Sequence, residues 1–425
     1  MVMITRSQLG TRPKRKAETP VTTMATRPSK LRPRRRKLTP KAADWASLPD
    51  GPLANIAGYL TTYDDFKTMW CVCRHWRTAK KDAVYGGTAS NQVPWLMLAA
   101  ENDQPNDPND MTRNFVRMSS VGGCRYIKMK LPQVTRGVRC VSSKGWMMTA
   151  PENGPLTLFN PFSDRQINVP DINRADKDSY GKVPFLHKFV LSSSPSQNDD
   201  YWIAIIYGRF NRLAIWRPGF RAWRKIVCSS SCYLLDVIFY NGKVYAVDKL
   251  IQIFSFTPDT NANANSQTLV LVRSLKHDFY NIQINSYLVE MDGNLMLVGR
   301  GMAHDYQWTK HTTYKFWLRK LVFHNGNLIC LQKVKSLGNR VLFLGDNESF
   351  FAEVSQRSEC KKNCIYFTDN MWINKTPTAV SEGGCDTGVF KLSTHRVEVL
   401  YEGESTAECT TMSKTTPATW VEPRC

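Results

Sequence analysis

Two patterns of hydrophobic and polar positions follow one another along the chain. Between residues 44 and 82, apolar side chains recur at helical spacing, as Leu53, Ile56 and Leu60 do at i, i+3 and i+7. From about Trp95 onward, short apolar runs alternate with turn residues, which is typical of β-strands. The two patterns predict an α+β multidomain chain, in which a small all-α domain of three helices precedes a large all-β domain.

The helical region also contains the residues that separate short helices. Pro52 suits a first helical turn, where its missing N–H is not needed. The polar stretch 61–64 can end one helix and begin the next. About 40 residues in three short helices are marginally stable alone, so such a module gains stability by docking its apolar face on a partner. The alternative is a helical cap on the domain that follows.

Tight turns mark β-hairpins in the second region. Asn241-Gly242 joins two apolar runs and is the strongest of these signals. Asp292-Gly293 and Asn325-Gly326 repeat the form, and Asn153-Gly154 is a fourth candidate turn. Many short strands in roughly blade-sized repeats favour a β-propeller over residues 95–400, with a sandwich or a barrel as the alternative.

The helical region resembles an F-box. The residues that carry the resemblance are Leu48, Pro49, Leu53, Ile56, Leu60, Phe66, Val72, Cys73, Trp76 and Arg77. Gly51-Pro52 shortens the usual polar lead-in, and Phe66 stands where leucine is commoner. The resemblance implies docking on a Skp-type adaptor, which places an F-box protein on a cullin–RING ubiquitin ligase. The adaptor-binding residues that it implies are Leu48, Pro49, Leu53, Ile56, Leu60, Val72 and Trp76.

The β-rich region resembles the KIB-type β-propeller domain, which follows an F-box in a large plant family. The segments that carry this resemblance are 145–146, 158–162, 239–245, 337–346 and 363–369. The block 337–346 is the most specific of them. Its consecutive apolar residues from Val341 to Leu344 predict a strand that is buried on both faces.

Positive charge is concentrated at the N-terminus. Residues 1–41 hold 13 Lys/Arg and the single acid Glu18, although the whole chain carries a net charge of +21. Their low apolar content predicts a disordered basic leader, and the polar segment 404–425 is expected to be a flexible tail. A solvated leader with no address and an organellar transit peptide are alternatives to a nuclear-import signal. The nuclear-import candidates are Lys14, Arg15, Lys16, Arg34, Arg35, Arg36 and Lys37.

The sequence contains little that points to catalysis or to a bound cofactor. Its glycine pairs fit neither a P-loop nor a dinucleotide fingerprint. The paired cysteines lack histidines at zinc-ligand spacing, so we expect buried, reduced thiols, no metal and no cofactor. The apolar runs are too short for a membrane span.

We therefore expect a non-catalytic substrate-recognition subunit of an SCF-type (Skp–cullin–F-box) ubiquitin ligase, in the nucleus, the cytoplasm or both. Its partners would be a Skp-type adaptor, through it a cullin–RING ligase, and a target protein; neither a membrane nor a nucleic acid is expected. One alternative is a nuclear nucleic-acid-associated protein that binds through the leader. Another is a β-domain protein with a vestigial F-box, and a third is an enzyme built on the β-domain.

Overall fold

The structure is a computed structural model of the 425-residue chain. It describes residues 44–60, 63–79, 94–99, 112–117, 125–134, 138–151, 155–163, 165–172, 186–208, 210–228, 232–259, 267–275, 284–304, 311–354, 360–370, 385–400 and 417–423. The chain divides into the units Met1–Trp45 and Ala46–Cys425. The helices and strands below belong to the second unit, apart from a 3₁₀ helix at Trp45–Ser47 that begins at the boundary.

Three short α-helices occupy the region with the helical pattern. They are α1 (Asp50–Tyr59), α2 (Tyr63–Met69) and α3 (Arg74–Ala79). Among the described residues, no helix combines the length and the hydropathy that a membrane crossing needs.

The first three groups of strands cover the N-terminal half of the β-region and include one strand from the far end of the chain. Group 1 contains β1 (Trp95–Met97), β2 (Thr112–Arg117), β3 (Arg125–Lys130) and β25 (Thr419–Val421). Group 2 contains β4 (Arg139–Ser143), β5 (Trp146–Ala150), β6 (Thr157–Phe159) and β7 (Gln166–Asn168). Group 3 contains β8 (Leu186–Leu191), β9 (Ile203–Tyr207), β10 (Arg212–Trp216) and β11 (Arg224–Cys228).

The remaining groups follow in chain order. Group 4 contains β12 (Leu234–Tyr240), β13 (Lys243–Asp248), β14 (Gln252–Phe256) and β15 (Gln267–Ser274). Group 5 contains β16 (Ile284–Met291), β17 (Asn294–His304), β18 (His311–His324) and β19 (Asn327–Val334). Group 6 contains β20 (Arg340–Leu344), β21 (Phe350–Glu353), β22 (Cys364–Phe367), β23 (Gly388–Lys391) and β24 (Arg396–Glu398).

Each of groups 2 to 5 is an antiparallel meander of consecutive strands. Groups 3 and 4 form one eight-stranded sheet because their outer strands β11 and β15 pair in parallel. In group 6, β20 lies between β21, which is antiparallel to it, and β22, which is parallel to it.

Hydrophobic clusters fill the interfaces between successive groups and close the groups into a ring. One cluster fills each interface and contains residues of both groups. For the interfaces 1–2, 2–3, 3–4, 4–5, 5–6 and 6–1, in that order, examples from the two groups are Phe115 with Met147, Trp146 with Phe189, Ile215 with Phe254, Tyr245 with Leu295, Val298 with Leu342, and Phe343 with Trp420. The inner strands of the groups are therefore buried on both faces, as those of propeller blades are, and outer strands such as β7, β15 and β19 are largely exposed. The large all-β domain is propeller-like, as the strand pattern predicts.

Three of the four predicted hairpin turns are confirmed. Asn241-Gly242, Asp292-Gly293 and Asn325-Gly326 join paired strands, and both residues of each turn have positive φ, which a type I′ turn requires. The fourth, Asn153-Gly154, lies outside the described residues. A turn at Lys144-Gly145, with φ of 47° and 82°, joins β4 to β5 and was not among the predicted turns. The strand predicted around 341–344 is confirmed as β20, with those four residues buried.

The expectation of a flexible tail over 404–425 is wrong for residues 419–421. They form β25, which pairs with β1 so that Trp420 lies opposite Leu96. Trp420 has no exposed surface, and its ring centroid lies 5.0 Å from that of Phe343 in group 6. The C-terminal strand thus completes group 1 and extends the β-domain beyond the predicted boundary at residue 400.

The expectation of buried, reduced thiols holds only in part. Cys228 and Cys232 are joined by a disulfide, and Cys71 and Cys330 are exposed. Cys140 is a buried free thiol, and burial raises its pKa to about 12. Among the described residues, no three His, Cys, Asp or Glu side chains gather as a metal site would require.

Candidate functional site

The three helices, with the residues that lead into them, form a helical module (residues 48–79) with a closed core. Leu53 and Ala57 of α1 have no exposed surface and pack against Phe66 and Trp70. The rings of Phe66 and Trp70 meet edge to face, with centroids 5.5 Å apart. Burying one leucine contributes about 2 kcal/mol, which is large for so small a core. Leu53, one of the predicted adaptor-binding residues, is therefore part of the internal core.

The other predicted adaptor-binding residues divide by exposure. Those at the edge of the core are half-buried: Leu48, Leu60 and Trp76. Those on the surface are Pro49, Ile56, which is 36% exposed, and Val72, which is 61% exposed. Tyr59, one turn after Ile56 on α1, is 86% exposed and was not predicted. We call Pro49, Ile56, Tyr59 and Val72 the exposed apolar set.

A histidine from α3 fixes the chain where it enters α1. The His75 Nε2 atom lies 2.7 Å from the carbonyl oxygen of Leu48 and 3.8 Å from a carboxylate oxygen of Asp50. The Leu53 N–H donates to the carbonyl of Pro49 at 3.2 Å. The two His75 contacts tie α3 to the chain at the start of α1, so the geometry of the Leu48-Pro49 step depends on two helices. Nothing in the local sequence marks His75 for this role.

The predicted nuclear-import residues, from Lys14 to Lys37, lie outside the described residues.

Within the ring, a set of buried polar residues gathers around the residues that follow β20. Residues 346–349 are buried although all four are polar. Arg139 of β4 lies 2.7 Å from the Asp346 carboxylate, and Lys144 lies 2.9 Å from the Glu348 carboxylate. The Glu348 N–H donates to the carbonyl of Ser142 at 2.8 Å. Residues 345–349, the axial segment, therefore tie group 6 to group 2.

A buried ion pair continues this set toward group 4. The ammonium group of Lys188 on β8 lies 3.0 Å from the Asp236 carboxylate on β12, and the two side chains are 3% and 1% exposed. Lys188 also donates to the carbonyl of Gly345 at 3.2 Å. Asp236 accepts from the Leu288 N–H at 2.8 Å. Burial raises the pKa of Asp236, although Lys188 acts in the opposite direction.

A further cluster of buried polar residues lies between strand groups 5 and 6. Arg300 of β17 has no exposed surface; its guanidinium donates to the Asp386 carboxylate at 2.9 Å and lies 4.6 Å from the Phe367 ring centroid. His311 and Asp369 meet at 2.8 Å, both fully buried. These groups bond to one another across blade interfaces, so their evident role is to hold the ring together.

An open pocket of about 380 Å³ lies beside the axial segment. Its lining includes Ile238 of group 4, Glu290 of group 5 and Phe350 of group 6. It also includes Lys144, which follows β4 of group 2, and Glu422, which follows β25 of group 1. Lining from so many groups places the pocket near the ring axis. It combines apolar side chains with carboxylates, and the hydroxyl of Ser349 in its lining donates to the Asp236 carboxylate at 3.4 Å.

The comparisons with known proteins bear on the ring. The model of the KIB1-4 beta-propeller family matches residues 115–391. The chain belongs to this family. F-box protein SKIP23 of Arabidopsis thaliana is 22% identical over 407 residues, which cover 84% of this chain and 91% of that protein. F-box protein At2g26160 of the same plant is 22% identical over 368 residues, which cover 77% of this chain and 96% of that protein.

Among solved structures, the chain is similar to BBS1N in its crystal complex with ARL6DN. The two share 13% sequence identity with a TM-score of 0.32, and the similarity covers 64% of this chain and 69% of that chain. This score is too low to extend the assignment.

The resemblance to a plant F-box protein with a KIB-type propeller is thus confirmed at the level of the family. The family match begins within β2 and ends at the last residue of β23. In this KIB1-4 propeller, β1 and β25 lie outside the match and yet pair with each other in group 1. The helical module also precedes the match.

Proposed function

We propose that this KIB1-4 propeller protein is the substrate-recognition subunit of an SCF-type ubiquitin ligase. The helical module would dock on a Skp-type adaptor, and the propeller would hold a target protein. The exposed apolar set on the helical module carries the proposal, and the names of the F-box relatives support it. The chain would act by proximity, because tethering raises the effective concentration of the target near the ligase.

The physical case starts from the size of the module. None of its helices exceeds 10 residues, and isolated helices of that length are marginal in water. Its core accounts for Leu53, Ala57 and Phe66 but leaves Ile56 and Val72 in solvent. Burying a fully exposed Val or Ile is worth about 1.5–3 kcal/mol, so a partner that covers the exposed part of these side chains would gain roughly 1 kcal/mol at Ile56 and up to about 2 kcal/mol at Val72. Docking would also stabilise the folded module by mass action.

The test measures the affinity of the full chain for a purified Skp-type adaptor by biolayer interferometry. The double variant Ile56→Asp/Val72→Asp places two charges in the proposed interface and leaves the core intact. We expect a loss of at least about 100-fold, which corresponds to about 2.7 kcal/mol. The matched control is Ile329→Asp, which changes an apolar residue on β19 that is 54% exposed, and we expect it to bind as wild type does.

A core variant separates docking from folding. Leu53→Ala should weaken adaptor binding because it destabilises the module by about 2–5 kcal/mol, and its far-ultraviolet circular dichroism should show lost helix. Ile56→Asp/Val72→Asp should keep the wild-type spectrum. If that double variant binds the adaptor with wild-type affinity, the exposed apolar set is not the docking surface and the proposal fails.

A further inference from the structure

Three neighbouring turns on one side of groups 3 and 4 expose large apolar side chains. Phe210 in the β9–β10 turn is 54% exposed, Tyr233 before β12 is 37% exposed, and Leu250 in the β13–β14 turn is 43% exposed. Two cations stand beside them, since Arg212 lies over the Phe210 ring and Lys249 over the Tyr233 ring, each 5.5 Å from the ring centroid. We call these five residues the turn patch.

Hydrogen bonds show that the three turns form one continuous surface. The Asn211 side-chain amide, next to Phe210, donates to the carbonyl of Leu234 at 2.7 Å. The Lys249 N–H donates to the carbonyl of Tyr233 at 2.9 Å. These hydrogen bonds link the turns of group 3 and group 4, and the Phe, Tyr and Arg of the turn patch are residue types that are enriched in protein interfaces.

The turn that presents Leu250 is held in an unfavourable conformation. Ile251 has a φ of 58°, in the left-handed region that β-branched residues rarely adopt. The Asp248 carboxylate fixes the turn by accepting from the N–H groups of Leu250 at 2.9 Å and of Gln252 at 2.8 Å. Strain of this kind persists only where the surroundings impose it, and it is common at binding surfaces. Leu250 is thus presented on a rigid turn.

Between the exposed acids Asp200 and Asp259, the chain has charge of one sign at the surface. Residues 201–258 contain eight Lys/Arg and two acids, Asp236 and Asp248. Both acids are buried, with 0% and 1% of their surface exposed. The segment that builds the turn patch therefore contributes exposed positive charge and no exposed carboxylate of its own.

We propose that the turn patch binds an acidic, apolar segment of the target protein. Carboxylates of the segment would pair with Arg212 and Lys249, and its apolar side chains would pack on Phe210 and Leu250. The target's identity as a ligase substrate rests on the proposed function, whereas the chemistry of the segment rests on the patch. A single-stranded nucleic acid is the competing occupant, because cations beside aromatic rings also suit stacked bases, and the test below includes one.

The test is a selection of phage-displayed random dodecapeptides on the full-length chain, followed by fluorescence anisotropy with the enriched peptides. We expect the enriched sequences to contain Asp or Glu interspersed with Leu, Phe or Trp. Their binding should weaken at least tenfold between 50 and about 300 mM salt, because the carboxylate pairs are screened. The variants Arg212→Glu/Lys249→Glu and Phe210→Ala/Leu250→Ala should each lower affinity at least tenfold.

The matched control is Lys333→Glu/Lys335→Glu, which reverses two exposed charges in and just after β19 and should bind as wild type does. Enriched peptides without acidic residues, or acidic peptides that bind both turn-patch variants normally, would overturn the proposal. So would a labelled dT20 oligonucleotide that binds the patch more tightly than every enriched peptide. Adaptor binding measured on the same preparations separates the two proposals, since the turn-patch variants should retain it.

Discussion

Removing the ammonium group of Lys188 should destabilise the ring more than its single ion pair suggests. The side chain is 97% buried with Asp236, so Lys188→Met fills a similar volume but leaves a carboxylate without its counter-ion. Breaking a buried pair from one side costs about 3–5 kcal/mol, because the remaining charge is neither hydrated nor paired. That is a large share of the stability of an ordinary domain, which is about 5–15 kcal/mol.

The second variant tests whether the uncompensated charge is the cause. Asp236 also accepts from the backbone N–H groups of Val237 at 2.9 Å and Leu288 at 2.8 Å. The two N–H groups donate to different carboxylate oxygens, so Asp236→Asn removes the charge and still satisfies one of them, whereas leucine would satisfy neither. Lys188→Met/Asp236→Asn should therefore recover at least about half of the loss caused by Lys188→Met alone.

The assay is urea denaturation followed by tryptophan fluorescence at pH 7 and pH 5. Burial already raises the pKa of Asp236, and loss of Lys188 should raise it further. The folded state then binds a proton that the unfolded state lacks, so the variant should lose less stability at pH 5 than at pH 7. A cost below about 1 kcal/mol, or no recovery with Asp236→Asn, would refute the reasoning.

Three further predictions concern the C-terminal strand β25, a half-buried histidine and the leader. Trp420→Ala should lower the stability of the ring by about 3–5 kcal/mol in thermal denaturation, because it opens the interface between groups 6 and 1; a loss under about 1 kcal/mol would contradict this. Burial lowers the pKa of His187, whose Nε2 lies 2.9 Å from the Gly208 carbonyl, to about 4 from an ordinary 6.5. Between pH 4 and pH 6.5, His187 is protonated in the unfolded chain but not in the folded one. The free energy of unfolding should therefore fall by up to about 3 kcal/mol as the pH drops from 6.5 to 4. His187→Gln should make the denaturation midpoint less dependent on pH over that range. Replacing the seven predicted import residues by glutamine should move a fluorescent fusion from the nucleus to the cytoplasm, and an unchanged distribution would exclude a nuclear-import role. Those residues are Lys14, Arg15, Lys16, Arg34, Arg35, Arg36 and Lys37.

The parts of the fold that follow from the sequence are those with a local cause. Asn241-Gly242 is recognisable because both positions of a type I′ turn need positive φ, which these residues adopt at low cost. The buried run at β20 is recognisable because a strand covered on both faces needs apolar residues at every position.

What could not be predicted depends on contacts between distant residues. β25 has three residues in a polar context, and its partner β1 lies more than 300 positions earlier, so no local pattern marks it. Lys188 and Arg300 would be placed at the surface by their charge, and only the folded ring brings Asp236 and Asp386 within reach. In the helical module, Leu53 and Ile56 are three positions apart on one helix, and hydrophobicity alone does not separate the core residue from the exposed one.

The helical module and the ring differ in what stabilises them, and this difference makes the two proposed interactions separable. The ring is closed by clusters at every interface between groups and by buried ion pairs such as Lys188 and Asp236. The module has one small core, so a bound partner adds a large fraction of its total stability, about 2.7 kcal/mol at 100 times the dissociation constant. A saturating Skp-type adaptor should therefore slow amide hydrogen exchange in α1 and leave exchange in β12 and β13 unchanged. A peptide bound to the turn patch should do the reverse, because Tyr233 and Lys249 flank those two strands.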